Sequence, residues 1–368
     1  MNDAGPPAIL VLGDLRHEQA GPDAVASMSV TGGSGPAERL ILRRHAAGTA
    51  DIEETATPFL PIGLVLAAVQ GLDLRIDGPV DPVAADGAGV AAGLLAGWFG
   101  WTAPRIAVGD AAPATEPATA TGLFFSRGLD SMTTLIQRRA DIGVLLGMDW
   151  HDAPLATEGT AEIWRGTQAA ADDAGLPLLR LTTNARRFLD PVVPWELSHG
   201  AVLGALAQLA SPSIGTAIIS GTHPEGREAP YGSHPQLDPC WSSSRVRVVY
   251  AAGGGGRNEK AAVVATDPFA VRWLKVCWER PGDGNCGRCA KCLMTLTNFH
   301  IAGRLEAVRD RFDAPLTPEA VSAVADRAIL SPENVEALIE ALDPADPLLE
   351  PWTRVLRRAI EHDPTGRR

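Results

Sequence analysis

The chain has 368 residues, 45% of them hydrophobic, which is enough to bury a substantial core and to build more than one structural unit. Lys and Arg total 32 against 44 Asp and Glu, a net charge of −12, so the chain as a whole repels a polyanion and argues against a nucleic-acid partner. No apolar run reaches the ~18 residues of a membrane span, residues 1–7 lack the basic and apolar segments of a secretory signal, and clustered thiols suit a reducing compartment. The expectation is a cytoplasmic chain with no membrane partner.

In chain order, strands are expected at 8–12, 40–42 and 72–77, helices at 60–70 and 85–98, and a closing extended segment at 104–109. These make an N-terminal α/β domain, 1–118, and the Ala-, Pro- and Thr-rich stretch 109–121 reads as a linker. Strands at 123–125, 142–148, 178–182, 216–220 and 246–250 then alternate with helices at 132–139, 161–174 and 196–209. Such alternation predicts a doubly wound parallel five-stranded sheet with ligands at the carboxyl ends of its strands, within a second domain at 119–304. Helices alone are expected beyond it, at 318–329, 332–342 and 351–361, in a C-terminal region 305–368. There is no internal repeat, and the four glycines 253–256 read as a flexible turn.

The most informative stretch is 121–135, where the apolar Leu123, Phe124 and Phe125 run into Ser126-Arg127-Gly128-Leu129-Asp130-Ser131 and then a helical pattern. Gly128 lets backbone approach a ligand, Asp130 or Ser131 can cap the helix, and free N–H groups at the helix start favour an anion. Arg127 can clamp a phosphate through its planar fork, or its bulk can obstruct one. An ordinary capped turn has the same pattern.

A second constellation lies downstream. Four of the five cysteines, Cys277, Cys286, Cys289 and Cys292, fall in one 16-residue stretch. A C-x2-C-x2-C run curls around one ion, and the turn at 281–285 can return Cys277 as the fourth ligand. Zn2+ is the first choice, an iron–sulfur cluster the next and a redox disulfide pair the last. Arg280, Arg288 and Lys291 would offset the charge of a tetrathiolate. Cys240 has no recognisable catalytic context, the pair His199 and His223 carries no readable chemistry, and Trp273 and Trp278 are assigned to the core.

The six-residue loop resembles the SGGxDS loop of the PP-loop ATP pyrophosphatases, with Arg127 where that superfamily has glycine, and its combination with a C-x8-C-x2-C-x2-C site resembles the 7-cyano-7-deazaguanine synthases. The likeness spans roughly 120–296. It implies an adenine nucleotide alpha hydrolase-like sheet, ATP and Mg2+ over the loop, a structural zinc, and activation of a carboxylate or amide as an acyl-adenylate for attack by ammonia or an amine. By the same resemblance, Ser126, Arg127, Gly128, Leu129, Asp130 and Ser131 would hold the nucleotide phosphates. Arg257 and Lys260 resemble basic residues directed at phosphate, and a homodimer is implied. On the expected rim, Met148 would meet adenine or simply fill the core. Asn184 and Arg186 would meet an anionic group or fix their own loop. His234, with Asp238 nearby, would lie over the acceptor pocket or on the surface. Asp130, Arg127, Lys260 and His234 are the catalytic candidates. The acceptor, whether a deazapurine, another small acid, an amino acid or a protein terminus, is not legible. Sulfur transfer on an iron–sulfur cluster and a non-catalytic nucleotide-binding module are the competing readings.

Overall fold

The computed structural model describes residues 8–35, 38–45, 54–149, 158–280, 282–325, 330 and 332–361. Residues 1–7, Pro281 of the expected turn and the 326–329 end of the helix expected at 318–329 lie outside the described residues. The strands are β1 (Ile9–Ala20), β2 (Asp23–Thr31), β3 (Arg39–Arg44), β4 (Asp73–Ile76), β5 (Ile106–Val108), β6 (Thr121–Phe124), β7 (Val144–Asp149), β8 (Leu178–Thr183), β9 (Thr216–Ser220) and β10 (Arg247–Ala251). The helices are α1 (Leu60–Gln70), α2 (Pro82–Phe99), α3 (Leu129–Arg138), α4 (Glu158–Ala174), α5 (Ala185–Leu189), α6 (Trp195–Leu209), α7 (Arg257–Ala265), α8 (Pro268–Trp273), α9 (Ala290–Ile301), α10 (Leu305–Val308), α11 (Pro318–Val324), α12 (Pro332–Ala341) and α13 (Leu349–Glu361).

The expected five-stranded sheet is corrected to a mixed, mostly parallel sheet of ten strands in the order β10-β9-β6-β7-β8-β3-β2-β1-β4-β5. The five strands from β6 to β10 do run parallel, but the outer edge of β8 is taken by β3, antiparallel, with Leu42 opposite Thr183. Asn184 makes that junction specific. Its Oδ1 accepts from Ile41 N at 2.7 Å and its Nδ2 donates to Arg39 O at 2.8 Å, so a residue expected to meet ligand instead joins two strands.

Period-two alternation sends successive side chains to opposite faces. Phe124 and Leu146 face one core together with Leu10, Leu12, Leu40 and Leu42, under α1, α2 and α6. Leu123, Phe125 and Leu145 face the other, under α3, α4, α7, α8 and α9. The first core draws from both halves of the chain. Helix α1 is apolar nearly all round because it is buried nearly all round. A third cluster, centred on the fully buried Trp352, joins α9 to α11, α12 and α13. Among the described residues, α2 is the one helix long and apolar enough to cross a membrane, an 18-residue stretch not identified in the sequence; Ala84, Ala88, Ala91, Ala92 and Leu95 bury one side of it in the first core.

Substituting Asn184 with Ala leaves the Ile41 N–H and Arg39 carbonyl of the β3–β8 junction without these partners. A loss of about 1–3 kcal/mol is expected, read as a lower denaturant midpoint with an unchanged slope.

Candidate functional site

The chain runs outward from β6 through β7 to β8 and then crosses back to place β9 on the other side of β6. The loops leaving β6 and β9 therefore diverge, and at such a reversal of strand order open α/β sheets place a ligand-binding crevice. Ser126, exposed, and Gly128 leave β6 at this point, while Gly221, Thr222 and His223 leave β9.

Helix α3 starts with Gly128 as its N-cap and α7 with Gly256, and neither start carries a side-chain cap. Asp130 and Ser131 do not cap α3, contrary to expectation: Ser131 Oγ donates back to Gly128 O at 3.2 Å, and Asp130 lies within the first turn. Leu129 is buried in the second core, so only its main chain can face the crevice. Ser126 Oγ accepts from Gly128 N at 3.2 Å and lies 3.3 Å from Ser131 Oγ, which holds the loop tight.

Asp130 organises the cations. Arg257 Nη1 donates to its Oδ2 and Lys260 Nζ to its Oδ1, both at 3.1 Å. Lys260 is buried and also donates to Gly221 O at 2.6 Å, so it ties the β9 loop to α3. It is not a solvated helix residue. Gly253, at φ 73, permits this, since a Cβ there would stand 3.1 Å from Lys260 Cε. Burial would raise the Asp130 carboxyl, but the charges of Arg257, Lys260 and Lys291 outweigh it and hold the carboxyl below its usual range. The result is three cations acting on Asp130, with Glu259 the other acid in the first turns of these two helices, whose starts add partial positive charge. Arg257 Nε, His223 Nε2 and Ser220 Oγ are buried without a hydrogen-bond partner among the described residues, which is uncommon for polar atoms.

Arg127 departs most from expectation. Its guanidinium does not reach into the crevice to clamp phosphate; it is fully buried, with Nη1 donating to Asp283 Oδ2 at 3.1 Å and Nη2 to the other oxygen. The remaining candidates lie elsewhere. Met148 packs against the first core. Arg186 pairs with Asp190 at 2.9 Å on α5, with its guanidinium over Trp195. His234 is buried rather than exposed, edge-on to Trp98 of α2 with ring centroids 4.6 Å apart, and its Nδ1 accepts from Gln236 N. Among the described residues no hydrogen bond or ion pair joins Met148, Asn184, Arg186 or His234 to the 126–131 loop. The 253–256 turn, read as featureless, and His223, read as without chemistry, both border the crevice. Only the long-range topology brings them there.

The four cysteines do converge. The Sγ atoms of Cys277, Cys286, Cys289 and Cys292 all lie within 4.8 Å of one another, with Cys277–Cys289 and Cys286–Cys292 at 3.9 Å. A tetrahedral ion with metal–sulfur bonds of about 2.3 Å requires sulfurs about 3.8 Å apart, so the set could hold a metal such as zinc. Backbone N–H groups of Arg280, Arg288, Cys289 and Cys292 point at the sulfurs at 3.3–3.4 Å. The close Cys289 and Cys292 thiols favour a thiolate at Cys277, whose presence in turn pushes up the other two. Arg280 pairs with Asp313, and Lys291, lowered by burial, lies over Trp278. Trp278 is 55% exposed, not in the core as expected.

No family model matches the chain, and no curated protein matches it. A solved structure that does match is a Type III CRISPR defence DNA nuclease activated by cyclic oligoadenylate, at 12% identity over 89% of this chain, with a TM-score of 0.23. The chain spans 57% of the length of that nuclease chain. Likeness this slight carries neither fold nor function. The assignment to the PP-loop superfamily is accordingly corrected, because it rested on two short motifs and the comparisons return no member of that superfamily. What remains is local: an uncapped helix start, a cation cluster and a four-cysteine group.

Two outcomes test this geometry. Cys289→Ser should lower both bound metal, read by elemental analysis, and the melting temperature, since filling such a site is coupled to folding, whereas Cys240→Ser should leave metal unchanged. Beside His234, Asp238 is buried and among the described residues has no cation paired with it; burial pushes its carboxyl up to about 7, and the bonds from Ser233 Oγ (2.7 Å) and His234 N (3.2 Å) offset only part of that. The folded state therefore retains a proton that the unfolded chain releases near 3.8, so stability falls as pH rises between that value and about 7. The slope is at most about 1.4 kcal/mol per pH unit. Denaturant midpoints measured from pH 4 to 8 should show this fall in the parent chain and lose it in Asp238→Asn.

Proposed function

We propose that the crevice between β6 and β9 binds the polyphosphate of ATP, and that the chain uses it to activate a carboxylate or amide as an acyl-adenylate, releasing pyrophosphate. The observation that carries the reading is the surplus of positive charge. Arg257 and Lys260 pair with the carboxylate of Asp130 and Lys291 adds its charge, so that even with Glu259 in the first turn of α7 cations outnumber acids in the first turns of two uncapped helices, beside the strand-order reversal. A surplus of this kind in a partly buried crevice favours a polyanion over water, even on a chain whose net charge is −12.

In this reading the N–H groups at the start of α3 and the Ser126 hydroxyl receive the terminal phosphates, and Arg257 and Lys260 offset the charge that builds up on departing pyrophosphate. Asp130 fixes those cations; because both its oxygens already accept from them, Mg2+ would arrive with the nucleotide rather than on this carboxylate. Ammonia or an amine would then displace AMP from the activated acceptor. No covalent enzyme intermediate is needed, since positioning and charge neutralisation supply the catalysis. For the four cysteines we propose a closed zinc tetrathiolate: the donor set is all sulfur and three of the four residues are buried. Such a site leaves no open position for a reacting group and would serve the structure.

Arg257→Gln tests the reading while Lys260 remains as a partner for Asp130. Losing one charge-assisted contact should weaken binding of ATP and of inorganic pyrophosphate about 10- to 100-fold in calorimetry, with a melting temperature lowered but the chain still folded at the assay temperature, because Lys260 keeps Asp130 paired. Equal affinity in parent and variant would remove the crevice as the phosphate site.

A further inference from the structure

We infer that Asp283 is a positioning residue for the 126–131 loop: acting through Arg127, it makes the four-cysteine centre set the conformation of the phosphate-binding backbone, so that anion binding depends on metal occupancy. The inference deepens the nucleotide reading and rests on it for its ligand.

Asp14 and Arg127 are the two non-glycine residues at positive φ among the described residues, and Arg127 has φ 59. An L-residue stays in that region only where its surroundings over-determine it. They do so here. The guanidinium is fully buried and forked onto both oxygens of Asp283, 156 residues away. The carbonyl of Arg127 accepts from Lys275 N at 3.0 Å, and Lys275 Nζ donates to Gly284 O at 2.7 Å. Side chain and main chain of Arg127 are thus both held by the segment that carries the cysteines.

That segment in turn depends on the cysteine cluster. Asp283 lies between Cys277 and Cys286, and the next residues continue the link. Asn285 Oδ1 accepts from Val276 N at 2.8 Å and Cys277 N at 3.0 Å, while its Nδ2 donates to Leu274 O at 2.9 Å. An ion that draws Cys277 and Cys286 together closes this loop and fixes where Asp283 stands. Helix α4 leaves room for the carboxylate at Gly166, where a Cβ would fall 2.3 Å from Asp283 Oδ2. Gly128, the N-cap of α3, follows Arg127 directly, so the direction of the first N–H groups of α3 is set by the tether.

The test measures inorganic pyrophosphate affinity by calorimetry on the full chain, with bound zinc and melting temperature recorded for each variant. Asp283→Asn should weaken pyrophosphate about 5- to 100-fold, the usual range for coupled sites, while keeping its zinc, because Asp283 is not a ligand. In an Arg127→Gly background, where glycine adopts φ 59 freely, adding Asp283→Asn should change nothing further, and stripping the metal with a chelator should matter only in the parent. A further loss in the double variant overturns the inference, as does a parent chain whose affinity survives metal removal. If Asp283→Asn fails to fold because it strands a buried guanidinium, comparing the double variant with Arg127→Gly alone still decides. If the parent binds no pyrophosphate, the nucleotide reading fails, and hydrogen exchange then tests the coupling separately. Metal removal or Asp283→Asn should each speed exchange at Met132, whose N–H donates to Gly128 O at 2.9 Å, and at the next amides of α3, and unchanged exchange there overturns the tether.

Discussion

The ion pair of Arg127 with Asp283 is the contact on which the arrangement of this molecule turns. A fully buried guanidinium is costly unless paired and hydrogen-bonded, and removing one partner of such a pair typically costs about 3–5 kcal/mol. The bidentate fork onto Asp283 supplies that partner, and no lysine could reproduce its planar geometry. The pair joins a strand-to-helix turn to a cysteine-bearing loop far away in sequence. The crevice and the four-cysteine group are therefore parts of one packed unit, both resting on the second hydrophobic core.

A second constraint comes from the sheet. Reversal of strand order beside β6 sends the loops after β6 and β9 apart, and α3 and α7 begin on either side of the gap. Neither start is capped by a side chain; Gly128 N is held by Ser126 Oγ and Glu259 N by Gly256 O, and the remaining first-turn N–H groups are left to water or ligand. Asp130 could have neutralised this field alone. It is instead outnumbered by Arg257, Lys260 and Lys291, and Lys260 spends part of its charge on the carbonyls of Gly221 and Thr222. The cations are held in place before any ligand arrives, which lowers the reorganisation a bound phosphate requires.

Much of this was legible from pattern alone, for identifiable reasons. The helix at 60–70 and the strand at 216–220 coincide with α1 and β9, because continuous apolar runs of helix and strand length between flanking breakers fix them. The cysteine spacing signalled convergence correctly, since C-x2-C-x2-C folds on itself with little help from the rest of the chain. Strand β2 was missed. Ala26, Met28 and Val30 do alternate with Ser27, Ser29 and Thr31, but its partner β1 continues through the polar Arg16, His17, Glu18 and Gln19, so the first arm gives little apolar signal that a hairpin follows. The ten-stranded sheet was missed because pairing β3 with β8 is a long-range choice, made by Asn184 and not by any local signal.

Arg127 illustrates the limit most sharply. Local sequence presents it as a residue in the phosphate loop, and an arginine there suggests a phosphate contact. Its backbone does occupy the position that a glycine would favour, and the strain of φ 59 is real. What reverses the meaning is burial: the side chain turns away from the crevice toward a carboxylate that no spacing rule connects to it. A glycine at this position would make the turn at no steric cost but would leave Asp283 without its guanidinium and the turn without its tether. The arginine gives up backbone ease for a fixed connection between two sites, and the sequence departure that looked like a defect in an anion loop is the residue that holds the loop to the rest of the protein.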